Sequence, residues 1–177
     1  PGCSINNPTL TEADLRNLAV AKQYKVTDVM LPFVRNKADL IILREALREY
    51  GCEDIRIFAK IENMTGVEHL EELIPYCDYI VIARGDLGNA MPLSQLPRIQ
   101  AHIARVCRKH NKDFMIVTQM LDSMIKNPYP TRAEVNDIYH AVTQGASALM
   151  LTGETAHGKY PVEAMKMLVD TAEESIL

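Results

Sequence analysis

Ile55-Arg56-Ile57-Phe58-Ala59-Lys60-Ile61-Glu62-Asn63 is the stretch on which the reading of this chain turns. Residues 55 to 61 read as a β-strand, and side chains alternate across a strand, so Lys60 and Glu62 point to one face. Some twenty residues on, Tyr79-Ile80-Val81-Ile82-Ala83 is apolar throughout, as a parallel strand buried on both faces requires. It runs into Arg84-Gly85-Asp86-Leu87-Gly88 and so delivers a second carboxylate, Asp86, beside the first. A lysine and two carboxylates at the ends of neighbouring strands suit a magnesium site for a phosphorylated acid, with hard oxygens for the cation and a cation for the phosphate.

Outward from this pair the same alternation repeats. Val29-Met30-Leu31 is a short strand stopped by Pro32; Phe114 to Thr118 and Ala148 to Thr152 are two more. Between them lie helical patterns. Thr11 with Asp14 resembles a capping box opening a helix to about Tyr24, and Asn36 or Ala38 starts another that Gly51 ends. A third runs from about Gly66 to Ile74 and is closed by Pro75, and a fourth runs from Ser94 to His110 with Asn111 as its stop. Thr131-Arg132-Ala133-Glu134 is a full capping box for a helix ended by Gly145, and Pro161 sits well as the first residue of the last helix. Five strand–helix units in succession mean a parallel sheet with right-handed crossovers. Arg35, Glu62, Arg84 with Asp86, Thr118 with Gln119, and Thr152 with Glu154 all fall at or just past the C-terminal end of a strand, the face on which such folds build their sites. No Gly-rich dinucleotide loop follows the first strand, which favours a barrel over a doubly wound sheet.

Composition sets the class. The 177 residues are 47% apolar and 24% charged, ordinary for one globular domain with a real core. A net charge of -4 and the lack of a Lys/Arg-rich run argue against nucleic acid or an anionic membrane as partner. No apolar run approaches a membrane span and no signal segment is seen, so a cytoplasmic setting is expected. Cys3, Cys52, Cys77 and Cys107 are scattered and read as reduced, buried thiols. The opening Pro1-Gly2-Cys3 and an end in mid-helix suggest a piece of something longer.

Five runs resemble pyruvate kinases, in that family's order and spacing. They are Lys60 to Asn63, Ala83 to Gly88, Thr118-Gln119-Met120-Leu121-Asp122-Ser123-Met124, Pro130 to Glu134, and Met150-Leu151-Thr152-Gly153-Glu154-Thr155-Ala156. The resemblance spans the chain and implies an α/β fold, a partial (β/α)8 TIM barrel of five parallel βα units, strands four to eight. Residues 1–177 would then be one barrel segment, with the lid and the C-terminal regulatory domain absent. Family chemistry implies transfer of the phosphoryl group of phosphoenolpyruvate to ADP, giving pyruvate and ATP. Glu62 and Asp86 would hold Mg2+ or Mn2+; Lys60 would neutralise the phosphoryl group and the enolate. Gly85 and Asp86 would offer backbone N–H groups to the substrate carboxylate, which Thr118 would also contact near the carbon to be protonated. Arg84 joins Lys60 and Thr118 as an implied catalytic residue, and with Thr152 and Glu154 forms a supporting shell and proton relay. K+ is implied for the full enzyme, with ligands outside this chain, as is a homo-oligomer, a tetramer. Pro32 stands where the family usually has Ser, and Asn89-Ala90 where it has Val-Glu.

Two other readings stand beside this one. A metal-dependent lyase or aldolase of the phosphoenolpyruvate/pyruvate barrel type also binds an enolate through Glu and Asp. A half-barrel that binds metal or serves assembly without catalysis is the other, because a closed barrel needs about eight strands. With the first three strands of the kinase barrel missing, the chain alone is expected to be inactive.

Overall fold

The computed structural model describes residues 7–176. Five strands, β1 (Asp28–Leu31), β2 (Arg56–Ile61), β3 (Tyr79–Ala83), β4 (Asp113–Val117) and β5 (Ala148–Met150), form one sheet in the order β1-β2-β3-β4-β5. Every neighbouring pair is parallel. Sequential order without a reversal is the winding of a barrel; a doubly wound sheet changes direction at a switch point. The sheet is therefore an open arc of a βα barrel, with β1 and β5 at its edges.

Three helices, two of them early in the chain, start at caps read in the sequence. In α1 (Glu12–Ala21) Thr11 and Asp14 form the reciprocal capping box, and α2 (Lys37–Glu49) is capped by Asn36, whose Oδ1 accepts from the Ala38 N–H at 2.9 Å. Gly51, at φ +65°, turns the chain out of α2. The helix expected from Gly66 to Ile74 is broken instead into α3 (Met64–Glu68) and α4 (Leu70–Leu73), which meet at His69. Pro75 does not close it; the proline lies within a 3-10 turn, Ile74–Tyr76, where its missing N–H costs nothing. A short helix that was not anticipated, α5 (Arg84–Asn89), begins directly at the end of β3, ahead of α6 (Leu96–Lys109). Beyond β4 come α7 (Arg132–Thr143), a second short helix α8 (Gly153–Ala156), and α9 (Pro161–Glu174).

Alternation along the strands separates two apolar layers. Ile57, Ile61, Ile80, Ile82, Phe114 and Ile116 pack with Leu40, Leu43, Leu47, Ile103, Ile138 and Leu168 of the helices in the main core. Phe58, Val81, Ala83 and Val117 form a smaller cluster on the concave side, with Tyr79, Met115 and Met150 against it. There the Phe58 and Tyr79 rings stack with centroids 4.3 Å apart and planes 3° from parallel. Cys52, Cys77 and Cys107 are buried free thiols, and burial pushes Cys77 and Cys107 up to about 12; Cys3 lies outside the described residues. Among the described residues no helix is long and apolar enough to cross a membrane.

Candidate functional site

Lys60 and Glu62 share the concave side with Phe58, two and four residues earlier on the same strand. Lys60 Nζ lies 2.8 Å from Glu62 Oε1, and the Glu62 side chain is only 2% exposed. Its other oxygen, Oε2, accepts from the Phe33 N–H at 2.7 Å. Phe33 reaches that position by taking φ +52° just after Pro32. The loop it belongs to is fastened to the end of β2 at two further points. Val34 N–H donates to the Lys60 carbonyl at 3.2 Å, and Asn63 Nδ2 donates to the Val34 carbonyl at 3.3 Å. Asn63 also caps α3, its Oδ1 accepting from Gly66 N–H at 2.8 Å. A Cβ on Gly66 would stand 2.5 Å from the Val34 carbonyl oxygen, so glycine is what lets the loop close on the strand.

One strand over, Asp86 lies in the first turn of α5, with its side chain exposed. Gly85 beside it packs against Thr118, whose Cγ2 is 3.0 Å from the place a Cβ would take. Thr118 is not the last residue of β4, as the sequence suggests. It has left the strand and stands at φ +78°, followed by Gln119 at +55°. A β-branched residue there is a genuine outlier, costing about 1–3 kcal/mol, of the kind that gathers at functional sites.

Arg84 does not project into open space. Its guanidinium donates to the Thr118 and Gln119 carbonyls and lies 2.6 Å from Asp137 Oδ2 on α7. The position suits an orienting side chain rather than one that meets substrate. Glu154, 1% exposed, joins two loops: Oε1 accepts from Leu121 N–H and Oε2 from Thr152 N–H, at 2.9 and 2.8 Å. The Thr152 hydroxyl lies 3.4 Å from the same Oε2. Arg35 is taken up by Asp39, to which its Nη2 donates at 2.6 Å. That buried aspartate, fed also by Thr9 and the Arg35 amide, was not singled out in the sequence. Burial pushes Asp39 up, and the hydrogen bonds from Arg35 and Thr9 outweigh it, leaving its pKa below the usual range.

Among the described residues no group of three or more His, Cys, Asp or Glu side chains is placed to hold a metal ion. Two carboxylates and a lysine at adjacent strand ends are a different arrangement. Mg2+ keeps several waters and is bound through one or two carboxylates plus substrate oxygens, so the donor chemistry of Glu62 and Asp86 fits such an ion.

A parallel βα arc with its polar residues at the carboxyl ends of the strands is a barrel of the enzyme-bearing kind. A family model described as pyruvate kinase, barrel domain, matches residues 1–165. The pyruvate kinase of Clostridium acetobutylicum is 41% identical over 175 residues, covering 99% of this chain and 37% of that protein. That of Bacillus licheniformis is 40% identical over 175 residues, covering 99% and 30%. The Kluyveromyces lactis enzyme is 41% identical over 172 residues, covering 97% and 34%. This chain belongs to the pyruvate kinase family, and it spans about a third of the length of the curated relatives it matches.

Proposed function

We propose that the chain carries the metal- and phosphoenolpyruvate-binding part of a site that transfers a phosphoryl group from phosphoenolpyruvate to ADP, giving pyruvate and ATP. The observation that carries this reading is the Lys60–Glu62 pair at the end of β2, facing the same end of the sheet as the left-handed Thr118 packed on Gly85. Glu62 and Asp86 would hold Mg2+ or Mn2+, which when bound supplies positive charge to the carboxylate and enol oxygen of the substrate. Lys60, fixed in place by Glu62, neutralises charge on the phosphoryl group and on the enolate. Gly85 and Asp86 present the N–H groups of the first turn of α5 to the substrate carboxylate. Thr118 contacts that carboxylate next to the carbon that takes the proton. Arg84, Thr152 and Glu154 hold the loops that frame it. K+ belongs to the complete site, with ligands from outside residues 1–177, as do the lid, the regulatory domain and the tetramer. The setting is the cytoplasm.

The open sheet supports a second reading, in which the segment binds metal or takes part in assembly without turnover. Paramagnetic broadening separates the two. Titrating Mn2+ into labelled chain should broaden the amides around Glu62 and Asp86, and in a separate sample with diamagnetic Mg2+ phosphoenolpyruvate should shift Thr118 and Gly85. Metal broadening without any response to phosphoenolpyruvate would favour the second reading; no broadening at either carboxylate would reject the first reading and leave assembly alone of the second. A coupled assay of pyruvate release with ADP, Mg2+ and K+ should show no turnover by the chain alone.

A further inference from the structure

Thr118 and Gln119 stand in succession in the left-handed region, at φ +78° and +55°. Two such residues with side chains, the first of them β-branched, persist only where surrounding contacts over-determine them. Those contacts converge from one side chain. Arg84 donates from Nε and Nη2 to the Thr118 carbonyl at 3.2 and 2.8 Å, and from Nη2 to the Gln119 carbonyl at 3.2 Å. Its Nη1 donates to Asp137 Oδ2 at 2.6 Å, and the Arg84 side chain is only 10% exposed. A planar fork held at one end by a carboxylate and at the other by two successive carbonyls fixes peptide orientation, which a lysine's point charge cannot do.

We propose that Arg84 and Asp137 are a positioning pair whose task is to hold Thr118 and Gln119 in the left-handed backbone, so that α7 sets where the Thr118 hydroxyl points. Neither residue touches the substrate. The consequence for binding rests on the reading of Thr118 as a substrate-side residue; the conformational claim does not.

NMR of the labelled chain tests it. The HN–Hα couplings and Cα shifts of Thr118 and Gln119 report φ directly. Exchange of the Leu121 amide, donated to Glu154 Oε1, reports opening of the loop. Arg84→Lys should move both couplings toward extended values and speed Leu121 exchange by about tenfold or more. Asp137→Asn, which keeps the arginine and the fold, should act in the same direction by a smaller factor. Adding Gln119→Gly to either variant should restore the Thr118 coupling and slow the exchange, because glycine adopts positive φ without strain; Gln119 is exposed, so the change disturbs no packing. A pair that merely neutralised buried charge would not respond to that glycine. Unchanged couplings and exchange in both single variants, or losses that Gln119→Gly leaves in place, overturn the proposal. Shifts on adding phosphoenolpyruvate with Mg2+ to the unaltered chain judge the substrate reading separately: their absence beside intact couplings rejects that role and leaves the pair standing.

Discussion

Glu62, proposed above as a metal ligand, is also a structural carboxylate. With its side chain 2% exposed, it depends on Lys60 and the Phe33 amide for compensation. Removing the lysine strands a buried charge, so Lys60→Met should lower stability by about 3 kcal/mol, the low end for a broken buried pair because Lys60 keeps some solvent. Urea unfolding measures it, and a loss under about 0.5 kcal/mol would class the contact as an ordinary surface ion pair. Asp39 gives a pH prediction. Its folded pKa is depressed, so the unfolded state binds more protons just below the unperturbed value of about 3.9, and stability falls as pH drops from there through the folded pKa. Asp39→Asn should flatten that part of the stability–pH curve while leaving its shape at neutral pH unchanged. At this scale the sequence was generous with Lys60 and Glu62, because period-two alternation puts them on one face whatever surrounds the strand. It was silent about Asp39, whose importance comes from Arg35 and Thr9 folding over it. It was silent too about φ at Thr118, since threonine after a strand reads as more strand.

Among the elements, α7 is tied to the preceding loop through its first turn. Glu134 accepts from the Thr131 amide and hydroxyl in the capping box, and also from the amide and hydroxyl of Ser123 across the preceding loop. Burial pushes Glu134 up, but the hydrogen bonds from Ser123 and Thr131 outweigh it and its pKa lies below the usual range. Thr131→Ala removes a cap and should cost about 1 kcal/mol. Glu134→Ala also releases Ser123 and should cost roughly twice that, about 2–3 kcal/mol, with the double variant well short of the sum because both act on one network. Thermal unfolding of the three variants is the check, and a purely additive result would uncouple cap from loop. Capping boxes are legible because they are written in four consecutive residues. The break at His69 and the helix at Arg84-Gly85-Asp86 were not, because two glycines in six residues argue against a helix that the end of β3 imposes regardless.

At the scale of the molecule, the sheet order read from five repeats of strand and helix is what the structure has, because each repeat carries its own hydrophobic period. What those repeats leave open is the pairing at the two edges. Among the described residues β1 and β5 each present an unpaired ladder, and Met30 on the concave side is 41% exposed. The isolated chain is therefore expected to associate, and light scattering should give a mass above one chain at micromolar concentration; a stable compact monomer would count heavily against this. The Phe58–Tyr79 stack offers an optical account of the same question. The chain contains no Trp, so its near-ultraviolet signal comes chiefly from seven tyrosines, and Tyr24, Tyr129 and Tyr139 among them are freely exposed. Tyr79, stacked flat on the Phe58 ring, has a fixed aromatic neighbour for circular dichroism to sense, and its band should rise when a partner covers the hollow of the arc and fade when it is left bare. The protein thus carries a native dye at the place where its completeness is decided.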